Sequence, residues 1–266
     1  ELAELNFGDV VLTKDQNHLL TRNILKYVEN IHIYQENGLP SSRGILLTGP
    51  PGTGKTLTCN VIIQDLDSTV IYISRNAIKD TGQITELYEL ARKLAPTLVI
   101  VEDIDTLGGV DREDTDHPLL GEFLNCLAGV EENQGVITLA TTNYPQNLDW
   151  ALADRPGRFD VRIDFGYPNE TVRENILIKY LKPLQTKGIK VKEIAKKTEG
   201  FSGAYLREIV QQAFISAFEK HDYDAKKVVV THGDLTESLK EIEKQKAIVN
   251  KENRRSGPEV SEQLYG

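Results

Sequence analysis

Apolar residues along the chain follow two different spacings. In the first 168 residues, short apolar runs recur that suit buried strands. Between these runs, apolar residues repeat at intervals of three and four, which is typical of amphipathic helices; one such segment ends at Pro96. The strand-like runs are Gly44–Thr48, Thr69–Ile73, Leu98–Val101, Val136–Ala140 and Val161–Ile163. This alternation predicts a parallel sheet flanked by helices, an α/β fold.

The pattern changes after Pro168, where strand-like runs give way to helical spacing. Val228–Val230 is at most a short strand, so the second part predicts an all-helical domain. The predicted helices are Val172–Leu181, Val191–Thr198, Gly203–Phe218 and Leu235–Val249. We therefore expect an α/β domain at 1–168, a small helical domain at 169–250 and a polar, flexible tail at 251–266.

Composition narrows the class of protein. The chain has 266 residues, of which 39% are hydrophobic and 27% charged, and its net charge is -9. Basic residues do not cluster without acidic neighbours, so nucleic acid is not an expected partner. No apolar run approaches the ~20 residues of a membrane helix, so we expect a cytoplasmic chain without a membrane segment.

The sulfur-containing residues add two expectations. Cys59 and Cys126 show no metal-binding or redox spacing, so we expect free thiols that pack helices in a reducing compartment. The sequence contains no methionine, so we interpret the chain as trimmed or altered, and a targeting or substrate-binding segment could precede Glu1.

A glycine-rich run, Gly49–Thr56, lies between a predicted strand and a predicted helix at Leu57–Leu66. It fits the phosphate-binding pattern G-x-x-x-x-G-K-[ST], in which backbone N–H groups surround a phosphate at a helix N-terminus. Lys55 would reach the β- and γ-phosphates, and Thr56 would bind Mg²⁺. The alternative is a turn without a ligand.

Two acidic residues, Glu102 and Asp103, follow the buried run Leu98–Val101. Strand ends at the carboxyl edge of a parallel sheet present such carboxylates to Mg²⁺ and to a reacting water, as in the Walker B motif. The alternative is a polar strand end that leads into a turn.

Together these motifs resemble the AAA family of ATPases, and the resemblance covers nearly the whole chain. The matching segments are Gly49–Thr56, Val101–Asp105, Ala140–Asn143, Arg155–Asp160 and Gly200–Leu206. The resemblance implies a P-loop NTPase fold with a five-stranded parallel sheet and a helical lid. It also implies Mg²⁺-dependent hydrolysis of ATP to ADP by a homo-oligomer, a hexameric ring, that remodels a protein client.

The resemblance also assigns roles to individual residues. Asn143 matches a side chain that holds the attacking water or the γ-phosphate, and Arg155 and Arg158 match arginine fingers, with ion pairs to Asp154 or Asp160 as the alternative. The implied catalytic residues are Lys55, Glu102, Asp103, Asn143, Arg155 and Arg158, with Thr56 and Glu102 at the metal. The implied nucleotide contacts are Asp9, Val10, Gly49, Pro50, Pro51, Gly52, Thr53, Gly54, Lys55, Thr56, Leu57, Gly203 and Ala204.

The chain departs from the family pattern in two places. The usual acidic pair is Asp then Glu, whereas here Glu102 would hold Mg²⁺ and the shorter Asp103 would polarise the water. The segment Ser74–Gly82, where threading motors carry a pore loop, has no aromatic residue. A second hypothesis is therefore a nucleotide-gated assembly scaffold with little or no hydrolysis. A third, a DNA-associated ATPase, lacks the basic surface that it requires.

Overall fold

The computed structural model describes residues 7–74, 77–78, 80–107, 118–129, 133–148, 158–224 and 226–255. The chain divides into two compact units, residues 1–168 and residues 169–266. The first contains a five-stranded sheet, and the second is mainly helical.

The sheet of the first unit is parallel throughout, in the order β2-β3-β4-β1-β5. Its strands are β1 (Arg43–Thr48), β2 (Thr69–Ile73), β3 (Thr97–Val101), β4 (Val136–Thr142) and β5 (Val161–Asp164). The predicted parallel five-stranded sheet is confirmed. Strand β4 extends past its apolar run because Thr141 and Thr142 pair with the last two residues of β1.

Helices of the first unit precede β1 and connect the later strands. They are α1 (Lys14–Leu20), α2 (Lys26–Glu29), α3 (Ile31–Glu36), α4 (Lys55–Asp65), α5 (Gln83–Lys93) and α6 (Pro118–Ala128), with a π-helical turn at Thr21–Leu25. The predicted elements do not include the helices before β1. Their signal is present, because the buried residues Leu20, Ile24, Tyr27 and Ile31 recur at helical spacing.

The sheet separates two apolar cores. On β1, Ile45 and Leu47 point to the core that includes Ile62 of α4, whereas Leu46 points to the core that contains Tyr88 and Phe123. A central parallel strand is buried on both faces, so its sequence is continuously apolar rather than alternating. This explains why short apolar runs identify the strands.

The two cysteines belong to these cores. Cys59 of α4 is fully buried in one core, and Cys126 of α6 packs against the other. Their places in the cores confirm the predicted packing role, and both cysteines are free thiols, as expected.

The second unit contains α7 (Glu170–Leu181), α8 (Val191–Lys197), α9 (Gly203–Lys220) and α10 (His232–Arg255). The predicted apolar face of α9 is confirmed, because Leu206, Ile209, Val210 and Ala213 are all buried. The unit is not entirely helical, since β6 (Thr186–Lys187) pairs with β7 (Val230–Thr231). We did not predict strand β6, because both of its residues are polar and exposed.

Helix α10 begins three residues earlier than its apolar pattern predicts. Asp234 accepts hydrogen bonds from the backbone and side chain of Thr231, at 2.8 and 2.6 Å, and its own N–H donates to the Thr231 hydroxyl at 3.3 Å. These reciprocal bonds satisfy backbone groups of the first turn. The helix continues to Arg255, beyond the expected boundary at 250. None of the helices in the described part of the chain is long and apolar enough to cross a membrane.

The N-terminus of α5 is capped by a side chain from α6. The Glu122 carboxylate accepts hydrogen bonds from the backbone N–H of Gly82 (2.9 Å), the N–H of Thr85 (3.0 Å) and the Thr85 hydroxyl (2.8 Å). Partial burial raises the pKa of Glu122, but these hydrogen bonds outweigh it and hold the pKa below its ordinary value. The ionised carboxylate therefore ties α5 to α6.

Replacing Glu122 by Gln should lower the free energy of unfolding by about 1 kcal/mol at pH 7, because a partly exposed charge-assisted cap is lost. Since the folded pKa is depressed, this stabilisation is complete above the ordinary glutamate pKa of about 4.3 and disappears as pH falls through the folded value. Urea unfolding at several pH values measures the effect. Glu89→Gln, an exposed change on α5, is the control; equal midpoints for Glu122→Gln and wild type at pH 7 would contradict the assignment.

Candidate active site

The glycine-rich loop joins the end of the central strand β1 to the start of α4. Gly49 and Gly54 have φ angles of 146° and 107°, which favour glycine. A Cβ added to Gly49 would lie 2.3 Å from the backbone oxygen of Phe165, so only glycine fits between β1 and the end of β5. No side chain caps α4 at Gly54, which leaves its first N–H groups for an anionic ligand.

The Lys55 side chain is hydrogen bonded to the backbone of the glycine-rich loop. Its side chain is only 6% exposed, and Nζ donates hydrogen bonds to the backbone oxygens of Gly49 (2.6 Å) and Pro50 (2.9 Å). Burial lowers the pKa of Lys55, while the nearby carboxylates of Asp103 and Asp105 oppose this effect. The ammonium group is thus held by two loop carbonyls and is influenced by the charges of two acidic side chains.

Asp103 and Asn143 are brought together at the carboxyl edge of the sheet, after β3 and β4. The Asn143 side-chain amide donates to Asp103 Oδ1 at 2.9 Å, and the Asp103 backbone N–H donates to the Thr141 hydroxyl at 2.9 Å. Asp103 has φ 48° and ψ 56°, a left-handed conformation that costs a non-glycine residue about 1 kcal/mol. The hydrogen bonds to β4 and its following turn hold this conformation and fix the direction of the carboxylate.

Asp105 also belongs to this site, although we did not predict it. Its Oδ1 accepts from the Thr142 hydroxyl at 2.7 Å and from the Asn143 N–H at 3.3 Å. It therefore positions the backbone of Asn143. The available signal was its place in the motif Val101–Asp105, two residues after Asp103.

Glu102 presents its two carboxylate oxygens to different surroundings. Oε2 accepts a hydrogen bond from the Tyr72 hydroxyl at 2.5 Å. Oε1 is buried and has no hydrogen-bond partner among the described residues. A buried, unpartnered carboxylate oxygen fits a cation ligand, so the residues present are compatible with Mg²⁺.

The described residues contain no group of three or more His, Cys, Asp or Glu side chains placed to hold a metal. Thr56, the other predicted ligand, is exposed on the first turn of α4.

Some of the other predicted nucleotide contacts lie at the glycine-rich loop. Val10 is buried, and its Cγ2 lies 3.9 Å from the position of a Cβ added to Gly54, so the segment with Asp9 adjoins the loop. Thr53 donates from its hydroxyl to the backbone oxygen of Pro50 at 2.8 Å, which closes the loop on itself. Gly203 and Ala204 begin α9 in the second unit, and their contact with nucleotide stays a prediction.

Arg158, one of the two predicted arginine fingers, lies away from the glycine-rich loop. Arg155 lies outside the described residues. Arg158 is 8% exposed, and its backbone oxygen lies 2.0 Å from a Cβ added to Gly44, at the start of β1. Asp160, a potential ion-pair partner, accepts at Oδ2 from the Gly44 N–H at 2.8 Å. Arg158 thus lies at the opposite end of β1 from Gly49.

A glycine-rich loop between a central parallel strand and a helix, with acidic and amide side chains after the next two strands, defines a P-loop nucleotide-binding protein. Two family models match the chain. The ATPase family associated with various cellular activities (AAA) matches residues 45–167, and the AAA+ lid domain matches residues 188–237. The chain belongs to the AAA family of ATPases.

Curated relatives carry the same module in longer proteins. The ATP-dependent zinc metalloprotease FtsH 1 of Petrotoga mobilis is 34% identical, over 83% of this chain and 35% of that protein. The proteasome-activating nucleotidase of Pyrococcus horikoshii is 30% identical, over 91% of this chain and 62% of that protein. The cell division cycle protein 48 homolog of Archaeoglobus fulgidus is 29% identical, over 91% of this chain and 36% of that protein. The chain therefore spans roughly a third to three fifths of the length of these relatives.

Replacing Gly49 by Ala should lower the free energy of unfolding by more than about 2 kcal/mol, because the new methyl group would overlap the backbone of Phe165. Gly121→Ala is the matched control, since its site in α6 is open and alanine favours helices by ~1 kcal/mol. Chemical denaturation should show opposite shifts for the two variants. A Gly49→Ala protein as stable as wild type would show that the close approach of β1 and β5 is not required.

Proposed function

We propose that the chain hydrolyses ATP with Mg²⁺ in a homo-oligomer, a hexamer, and uses the energy to remodel a protein partner. Residues 1–168 form the nucleotide-binding domain and 169–250 the helical lid. The observation that carries this proposal is the Asn143–Asp103 hydrogen bond at the carboxyl edge of the sheet, because it orients a carboxylate near Lys55.

Lys55 and the loop bind the triphosphate. The glycines allow the backbone N–H groups of the loop and of the first turn of α4 to surround the β-phosphate. The Lys55 ammonium, now hydrogen bonded to Gly49 and Pro50, exchanges a carbonyl partner for the phosphate oxygens. Asp9 and Val10 border the base.

Asp103 acts as the base that polarises the attacking water, and Asn143 holds that water or the γ-phosphate. Their hydrogen bond and the Thr141 contact place the Asp103 carboxylate before substrate arrives. Such positioning reduces the reorganisation that the reaction requires. Asp105 supports both residues because it anchors the turn that carries Asn143.

Glu102 and the Thr56 hydroxyl would hold Mg²⁺, which neutralises charge on the β- and γ-phosphates when bound. Glu102 contributes the buried Oε1, which has no protein hydrogen-bond partner in the described part of the chain. Few protein ligands are needed, because phosphates and water complete the coordination of this ion.

Assembly is supported by the position of Arg158. It adjoins Gly44, while the loop begins at Gly49, and five residues of strand separate the two by about 16 Å. Arg158 therefore serves the γ-phosphate of a neighbouring subunit, with Arg155 beside it in sequence. Hydrolysis that needs an arginine from the next subunit occurs only in the oligomer.

A protein client is supported by the names of the relatives, which include ATP-dependent metalloproteases and a proteasome-activating nucleotidase. The net charge of -9 argues against a nucleic-acid partner. A cytoplasmic location stays a prediction. The segment Ser74–Gly82 has no aromatic residue, so remodelling here would not use an aromatic grip on an extended polypeptide.

The second candidate is a nucleotide-gated scaffold that assembles on ATP without appreciable turnover. The observation that favours it is the inverted acidic pair, in which the shorter Asp103 stands where the family pattern has a glutamate. If this carboxylate does not reach the water, nucleotide binding organises the oligomer while hydrolysis is negligible.

Asp103→Asn should reduce ATP turnover at least ~100-fold, as expected for loss of a general base, while nucleotide affinity changes little. Phosphate release under saturating ATP measures turnover, and a fluorescent nucleotide measures binding. Asp67→Asn makes the same charge change at an exposed position after α4 and should leave both unchanged. Turnover that survives Asp103→Asn would exclude Asp103 as the base, and a wild type that binds ATP without turnover would support the scaffold.

ATP turnover per subunit should rise with protein concentration and fall at least ~100-fold in Arg158→Ala, because the finger acts between subunits. Arg158 is buried, so Arg158→Lys, which keeps the aliphatic part and the charge, controls for packing. Sedimentation with a nonhydrolysable ATP analogue measures assembly. Turnover independent of concentration, or unaffected by Arg158→Ala in a folded protein, would exclude action in trans.

A further inference from the structure

Tyr72 lies on β2, the edge strand beside β3, and contacts the predicted metal ligand. It pairs in register with Ile100, two residues before Glu102. Glu102 directly follows β3, and its backbone N–H donates to Ile73 O at 3.2 Å, which keeps it beside the end of β2. The Tyr72 hydroxyl donates to Glu102 Oε2 at 2.5 Å, a short charge-assisted hydrogen bond.

The two carboxylate oxygens of Glu102 differ in their hydrogen bonding. Burial raises the pKa of the Cys59 thiol, and the charge of Glu102 raises it further. Cys59 is one helical turn after Thr56, the other predicted metal ligand. Oε1 of Glu102 is buried without a hydrogen-bond partner among the described residues, while the Tyr72 hydroxyl occupies Oε2.

We propose that Tyr72 is a positioning residue for the metal site: its hydroxyl fixes the Glu102 side chain so that Oε1 is presented to Mg²⁺. This inference rests on the proposed role of Glu102. A glutamate has one more rotatable bond than an aspartate, and without a partner its carboxylate samples several rotamers. The hydrogen bond from Tyr72 selects one of them, as outer partners of metal-binding carboxylates commonly do.

Because Tyr72 is partly exposed, its positioning role can be tested separately from its contribution to packing. The side chain lies at the edge of the sheet and is 42% exposed, so its ring contributes less to the core than a buried tyrosine would. Phenylalanine keeps the ring and removes only the hydroxyl. Tyr72→Phe therefore tests the hydrogen bond with little change in packing.

The test measures binding of a fluorescent, nonhydrolysable β,γ-imido ATP analogue in EDTA and across a Mg²⁺ titration. Tyr72→Phe should raise the Mg²⁺ concentration for half-maximal enhancement of binding about tenfold, the lower end of the range for outer partners of metal ligands, and leave affinity in EDTA unchanged. Tyr223→Phe is the matched control, because it removes a tyrosine-to-glutamate hydrogen bond, to Glu219 at 3.5 Å, within the second unit. It should not change the Mg²⁺ requirement.

Glu102→Gln, measured in parallel, distinguishes the possible failures. If Glu102→Gln raises the Mg²⁺ requirement and Tyr72→Phe does not, Tyr72 has no positioning role and the proposed role of Glu102 stands. If neither variant changes the requirement, the assignment of Glu102 to the metal fails, and the inference about Tyr72 fails with it. If Tyr72→Phe weakens nucleotide binding equally in EDTA and in Mg²⁺, its role is structural and the inference is overturned.

Discussion

The pairing of β1 with β4 and β5 determines where the glycine-rich loop begins. Backbone hydrogen bonds join the ends of these strands: the Gly49 N–H donates to Thr142 O at 3.3 Å, and the Phe165 N–H donates to Thr48 O at 2.6 Å. Because Gly49 lies against the backbone of Phe165, the glycine-rich loop must begin at the junction of three strands. The loop is therefore anchored by β4 and β5 in addition to the hydrogen bonds that Thr53 and Lys55 make within it.

The positions of the proposed catalytic side chains depend on the same strand pairing. Since β4 is paired with both β1 and β3, the residues after it reach toward the loop and toward Asp103. Thr141 holds the Asp103 backbone, and Asn143 holds its carboxylate. Three strands thus share one hydrogen-bonded edge, and the cost of the left-handed Asp103 is met by contacts that only the assembled sheet provides. The Asp103 carboxylate is thus preorganised, because the fold orients it.

Local motifs predicted much of this site because their chemistry depends on short sequence spacing. The loop with Lys55 and the acidic pair after β3 were placed at the same edge of the sheet by the rule for parallel strands. Tyr72 and Glu122 were not found, because each acts on a residue 30 or more positions away and nothing in its local sequence indicates that contact. Thr186 and Lys187 were missed because a two-residue polar strand has no apolar pattern.

The sequence by itself determined the class of ligand, the presence of a parallel sheet and the family, because glycine, lysine and carboxylate spacing and apolar periodicity are properties of neighbouring residues. Tertiary structure decided which oxygen of Glu102 is occupied, how Asp103 is turned and on which end of β1 Arg158 lies. These features depend on hydrogen bonds and close contacts between strands that are distant in sequence. Strand order creates those contacts, and no local pattern of residues specifies strand order.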